Sequence, residues 1–209
     1  VDRLLGHLDG VLVAPGFGLR GVEGKIVAVN YARELKVPFL GICLGMQVAV
    51  IEYGKNVIGK AEANSTEFDE ETAFPAISMM EEQKKVKQLG GTMRLGAYNC
   101  EIQKGTLAHK VYGKEKISER HRHRYEFNND VKELYESHGM VMSGVNPETE
   151  LIEIVELPDH PFFLGVQFHP EYRSTVENPH PVFKSLVTSA HANKLNNTAH
   201  VIESGKNQK

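Results

Sequence analysis

Pro38-Phe39-Leu40-Gly41-Ile42-Cys43-Leu44-Gly45-Met46-Gln47 is an apolar run whose character changes at a cysteine set between two glycines. Pro38 to Ile42 is short and uncharged, which suits a strand buried on both faces. Leu44 to Tyr53 reads as a helix. A Gly-x-Cys-x-Gly joint between strand and helix is the cysteine form of the nucleophile elbow. Its glycines allow a sharp turn that side chains would obstruct and leave the thiol exposed at the strand's end. The first N–H groups of the helix and its positive dipole end lie beside the sulfur, which predicts a lowered thiol pKa. The Leu44 N–H is placed to hold an oxyanion. For the pentapeptide alone, a structural cysteine between two packing glycines is the competing reading.

Upstream, Asp9 to Ala14 is a second short apolar run, closed by Pro15-Gly16-Phe17-Gly18, and Val22 to Leu35 suits a helix. Strand, loop, helix, strand, helix is the signature of a parallel α/β sheet. Downstream, Ala63 to Pro75 is polar and loop-like, and residues 81–87 form a charged, solvated stretch. Gly90-Gly91 opens a region, Thr92 to Thr106, patterned as antiparallel strands. Asp130 to Ser137 reads as a helix. Met140 to Val145, Leu151 to Leu157 and Phe163 to Phe168 follow as closely spaced strands. Pro179 to Ala192 forms a last helix started by a proline, and residues 193–209 read as a polar, disordered tail. The expected fold is a doubly wound, mostly parallel α/β sheet with added antiparallel strands, in one domain over residues 1–192.

The 209 residues, 41% hydrophobic and 24% charged, suit a globular chain. A net charge of -3 gives no reason to expect nucleic acid or an anionic membrane as partner. No apolar run approaches the ~20 residues that span a bilayer, and no leader pattern is visible. Two cysteines, Cys43 and Cys100, and no other sign of an oxidising compartment make the cytoplasm the expected location. Cys100 has no base near it in sequence and reads as structural.

Gly165-Val166-Gln167-Phe168-His169-Pro170-Glu171 supplies what Cys43 needs. An apolar strand ends in a histidine and a carboxylate at i and i+2, which point to one side of an extended segment. Glu171 would fix the imidazole tautomer of His169 and leave its other nitrogen for the thiol, and Pro170 holds His169 extended. Seen alone, the tripeptide is an ordinary surface turn; beside the cysteine elbow it reads as the rest of a triad. In Glu119-Arg120-His121-Arg122-His123-Arg124-Tyr125-Glu126 a strand puts Arg120, Arg122 and Arg124 on one face. The alternating cations argue against a metal site at His121 and His123, so no metal is expected. Arg94 has two readings, a residue of the site or, the one favoured, part of a structural ion pair.

The elbow and the downstream His-Pro-Glu resemble the class I glutamine amidotransferases, whose triad is Cys, His and Glu. Five blocks are similar, in order, to the glutaminase domains of CTP synthases: Gly41 to Glu52, Ala63 to Phe68, residues 90–96, Glu119 to Glu126, and Pro158 to Phe163. The resemblance implies Cys43 as nucleophile, His169 as base and Glu171 as its orienter. It implies Gly16 as an oxyanion and substrate contact, and Leu44, Gly45, Met46 and Gln47 as substrate-contacting positions. Glu67 would bind the amino group of L-glutamine, and Arg124 its α-carboxylate. One anion and one cation suit a zwitterion.

Further expectations come from the same resemblance. The domain itself needs no cofactor. ATP and magnesium belong to a synthetase domain that aminates UTP to CTP, and that domain and L-glutamine are the partners. GTP acts as an allosteric activator, with Gly18-Leu19-Arg20-Gly21 resembling the segment involved. The family assembles as a homo-tetramer. Many members have Pro-Gly-Gly-Phe-Gly where this chain has Ala14-Pro15-Gly16-Phe17-Gly18; Pro15 has no N–H, so the oxyanion donor falls to Gly16. The family's opening strand, helix and second strand, like its synthetase domain, are not found ahead of Val1.

Overall fold

A computed structural model describes residues 2–79 and 93–206. A short helix α1 (Asp2–Leu5) leads into β1 (Val11–Val13), α2 (Val22–Glu34), β2 (Phe39–Ile42) and α3 (Leu44–Asn56). Then come β3 (Ala63–Ser65), β4 (Phe74–Met79), β5 (Arg94–Ile102), α4 (Leu107–Tyr112), β6 (Lys116–His123) and β7 (Tyr125–Phe127). Helix α5 (Lys132–Ser137), β8 (Val141–Val145), β9 (Ile152–Glu156), β10 (Phe163–Val166) and α6 (Pro181–Lys206) complete the order. The main sheet runs β1-β2-β10-β9-β8-β5-β6, and a smaller one runs β3-β4-β7.

The sheet is mixed, and the division falls where the sequence changes pattern. β1, β2 and β10 are parallel, in the register Val13, Gly41 and Gly165. β9, β8, β5 and β6 extend it antiparallel. Every residue of β2 is buried. Phe39 joins the core under α2 and α3, while Leu40 and Ile42 join the opposite core with Val182 and Leu186 of α6 and Ala108 of α4. Helices on both faces are what a continuous apolar strand requires, because alternate side chains leave the sheet in opposite directions. This is the expected α/β core with antiparallel strands added.

Helix α3 is buried from Leu44 to Gly54. Its one acid, Glu52, is fully enclosed and is held by Arg33 at 2.8 Å, with Asn30 and Asn56 donating to the same oxygen at 2.9 and 3.0 Å. A buried carboxylate persists only when satisfied in this way.

Two expectations differ from the structure, and one helix was not anticipated. Ala63 to Pro75, read as loop, contains β3 and the start of β4. Pairing to β4 overrides the weak strand propensity of Ala-Asn-Ser. The helix not anticipated is α4, which follows the strand-rich region: Thr106 caps it by accepting from the His109 N–H at 3.1 Å, and Gly113 ends it in the left-handed region. The helix expected to end at Ala192 continues to Lys206. Asn193 and its polar successors are not breakers, and the Asn193 amide donates to the Asp9 carbonyl at 3.2 Å. The charged stretch 81–87, the glycine pair 90–91 and the last three residues of the expected tail lie outside the described residues.

Candidate active site

The carboxyl ends of the three parallel strands converge, as they do at ligand sites of open α/β sheets. β1 runs into the Pro15–Gly18 loop, β2 into Cys43, and β10 toward His169. Between them lies a cavity of about 510 Å³ lined by Pro15, Gly16, Phe17, Cys43, Gln47, Glu67, Met93, Arg122, His123, Arg124, Tyr125, His169, Glu171 and Tyr172.

Cys43 stands at the elbow with φ 52° and ψ −107°, a left-handed backbone forced on a residue with a side chain. Its N–H bonds the Val166 carbonyl at 2.8 Å, which ties the elbow to β10. Both flanking glycines are sterically required. A Cβ on Gly45 would sit 2.1 Å from the Val13 carbonyl oxygen, and one on Gly41 would sit 2.6 Å from the Gly45 backbone. The two glycines let α3 settle against β1 and β2 and so set where the sulfur emerges.

The thiol does not have the lowered pKa expected from the helix end. Burial, with smaller contributions from Glu171, Glu67 and Glu126, pushes it up to about 12, and the Leu44 N–H opposes this without reversing it. Desolvation of the charged form outweighs the helix terminus because the side chain is almost entirely enclosed.

The Nδ1 atom of His169 lies 2.6 Å from Oε1 of Glu171, and the His169 N–H bonds the Arg120 carbonyl at 2.8 Å. The ring also stacks on Tyr172, centroids 5.0 Å apart and planes at 11°. With Nδ1 engaged, Nε2 is buried and has no hydrogen-bond partner among the described residues. Cavity, buried thiol and an imidazole with one nitrogen paired and the other unengaged are the parts of a site with a thiol nucleophile.

Glu67 follows β3, and its Oε1 accepts from the Gly18 N–H at 2.9 Å, joining the second sheet to the glycine loop. Arg124 sits at the break between β6 and β7, its Nε buried and without a partner among the described residues. Apart from the triad residues the cavity thus carries one carboxylate, Glu67, and two guanidiniums, Arg122 and Arg124. Arg120 faces solvent and is not on the wall. Leu44, Gly45 and Met46 bring no side chain to its wall: the Leu44 side chain is buried, Gly45 lies against Val13 and Met46 against Gly165, while the Leu44 N–H lies beside the Cys43 sulfur. Arg94 forms the ion pairs expected of it, 2.7 Å to Glu153 and 3.4 Å to Glu126. Cys100 is buried and free, its thiol raised by burial.

Two participants were not singled out from sequence. The Gln167 amide donates to the Cys43 sulfur at 3.8 Å and accepts from Gln47 at 3.2 Å. The strand period signals it: Gln167 is two residues before His169 and so on its side of an extended segment. Tyr172, under the imidazole, had no such signal, since it lies in a 3-10 turn (Pro170–Arg173) that an extended reading does not anticipate.

Fold, elbow and paired carboxylate–imidazole define a class, and the chain belongs to it: residues 2–189 match the family model for glutamine amidotransferase class-I. Among curated proteins it is 65% identical over 186 residues to a CTP synthase of Cytophaga hutchinsonii, covering 89% of this chain and 34% of that protein. It is 61% identical over 190 residues to a CTP synthase of Flavobacterium johnsoniae, covering 91% and 35%. Among solved structures it is similar to the glutaminase domain of Trypanosoma brucei CTPS with bound acivicin, at TM-score 0.86 and 40% identity, covering 91% of this chain and 74% of that one. Within the class it falls with the glutaminase domains of the CTP synthases, and it spans about a third of the length of the curated relatives.

Among the described residues no cluster of His, Cys, Asp and Glu is arranged to hold a metal ion, and no helix is long and apolar enough to cross a membrane.

Proposed function

We propose that this chain hydrolyses L-glutamine to glutamate and ammonia, with Cys43 as nucleophile, His169 as base and Glu171 as its orienter. The observation that carries the reading is the 2.6 Å His169–Glu171 pair, whose unengaged Nε2 belongs to the same cavity as Cys43. Glu67 takes the amino group of glutamine and Arg124 its α-carboxylate; the unpartnered Arg124 Nε supports this, since a buried guanidinium N–H calls for an acceptor.

Because burial raises the thiol, the thiolate is not preformed. The sulfur loses its proton to His169 as it bonds to the carboxamide carbon, and the oxygen takes the negative charge. The N–H groups of Gly16 and Leu44 stabilise that oxygen. The imidazolium, steadied by Glu171, protonates the nitrogen; the C–N bond breaks, ammonia leaves and a glutamyl thioester remains. His169 next takes a proton from water, whose oxygen attacks the thioester. Glutamate departs and the thiol regains its proton. Gln47 holds Gln167, whose amide steadies the sulfur while it is charged.

In this reading the chain is the ammonia source of a cytoplasmic CTP synthase. A synthetase domain, holding ATP and magnesium, aminates UTP to CTP; the glutaminase domain needs no cofactor of its own. GTP activates through the loop around Gly18 to Gly21, and the enzyme works as a homo-tetramer without nucleic-acid or membrane partners. The test is ammonia release from glutamine by the protein and by Cys43→Ala. Release by the first and none by the second is expected; equal release by both would end the proposal.

A further inference from the structure

Beneath the cavity, five buried side chains from four strands close a ring: Arg94 on β5, His121 and His123 on β6, Glu126 on β7 and Glu153 on β9. Arg94 reaches Glu153 at 2.7 Å and Glu126 at 3.4 Å. His123 Nδ1 is 3.6 Å from Glu126, His123 Nε2 is 2.8 Å from His121 Nδ1, and His121 Nε2 is 3.6 Å from Glu153 Oε2. Only His123 also lines the cavity. The triad chemistry uses none of the five.

The polarity of these contacts locates a proton. His123 Nδ1 faces the Tyr125 carbonyl at 3.2 Å, an oxygen that can only accept, so Nδ1 carries hydrogen. In the neutral ring Nε2 is then an acceptor, and the hydrogen between the imidazoles belongs to His121 Nδ1. That leaves His121 Nε2 as a bare lone pair facing Glu153 Oε2. Two acceptors buried against each other repel unless one of them holds a proton. Charge gives the same count, since two carboxylates face one guanidinium and one added proton makes the ring neutral.

We propose that Glu153 is a positioning residue that acts with its carboxyl group protonated, donating to His121 and through it orienting His123 on the cavity wall. The effect extends further. The Tyr125 carbonyl that receives His123 also accepts from Gln47 at 2.8 Å, and Gln47 holds Gln167 against the Cys43 sulfur. A run of polar contacts thus links Glu153 to the nucleophile, with the Tyr125 carbonyl accepting from His123 on one side and from Gln47 on the other.

Burial raises both carboxyls against the opposing pull of Arg94, Glu126 to about 8 and Glu153 to about 7. It also lowers His121 to about 2 and His123 to about 3, so the proton rests on a carboxyl and not on a ring. The lone pair of His121 assigns it to Glu153, because Glu126 faces the N–H of His123. The other titratable groups around the ring are Tyr98 and Cys100 on β5, Glu119 on β6 and His169 beyond β10. β8, paired to β9, offers none.

The inference rests on the glutaminase reading for its activity test only. Glu153→Gln carries a permanent donor in place of the proton. It is expected to keep kcat within about twofold at mildly acidic pH and to remove the fall in kcat that the proposal predicts for the protein above about pH 7. Glu153→Leu is expected to lower kcat roughly tenfold with little change in KM. Unfolding gives a second readout without turnover. A carboxyl at about 7 when folded and 4.5 in its ordinary state makes the folded protein the better proton binder between those values. The protein should therefore lose stability relative to Glu153→Gln as pH rises from 4.5 to about 7. A Gln variant as impaired as Leu, or one whose stability deficit is constant or grows over that rise, overturns the proposal. Absence of Cys43-dependent ammonia release from the unmodified protein would sink the glutaminase reading instead, and the unfolding comparison would still place the proton.

Discussion

At Cys43 two demands conflict. The elbow exposes the sulfur to the cavity, yet enclosure raises the thiol to about 12. At neutral pH roughly one thiol in 10⁵ is then ionised. Alkylation by a small neutral reagent should accordingly be slow and should accelerate with pH well beyond 9, whereas an electrophile shaped like glutamine, placed by Glu67 and Arg124, should label Cys43 quickly at neutral pH. Fast neutral alkylation would show that the thiol is not raised. Glu171→Gln keeps the shape but loses the charge that steadies the imidazolium; turnover should fall roughly 10²-fold with KM little changed. At this scale the triad was legible from Gly41-Ile42-Cys43-Leu44-Gly45 and His169-Pro170-Glu171. The direction of the thiol shift was not, because desolvation depends on neighbours that only folding supplies.

The α3 helix and its two glycines carry the element-scale account. Gly45→Ala drives a methyl group into the Val13 carbonyl, a backbone atom that cannot rotate away. Thermal or denaturant unfolding should show a loss of about 3 kcal/mol, with turnover lost as the elbow shifts. Gly24→Ala, in the first turn of α2 with nothing within 4 Å of the new methyl, should be neutral or slightly stabilising and serves as the control. The strands β1, β2 and β10 were legible because each is a continuous apolar run. β3 was not: Ala63-Asn64-Ser65 has no strand propensity and is extended only because β4 pairs with it. Glu67, two residues on, was recognised without its element, through the resemblance and not through any period.

Over the whole molecule, the site draws one group from each of several strand ends: Gly16 after β1, Cys43 after β2, Glu67 after β3, Arg124 after β6 and His169 after β10. Sequence named these five but could not place them around one cavity, which depends on β10 inserting between β2 and β9. Residues 194–198 of α6 are exposed and do not line the cavity. Ending the chain after Asn193 should leave ammonia release unchanged and shift the unfolding midpoint by only ~2 °C; a large loss of either would assign that end a structural role. The central claim, that Cys43 attacks glutamine, is tested most directly by acid-quenching the protein during turnover and mapping the glutamyl group by peptide mass. The account predicts a thioester on the peptide containing Cys43 and none in Cys43→Ala. Ammonia release with the glutamyl group on Cys100, or with no acyl-enzyme at all in a variant whose deacylation is slowed, would contradict it.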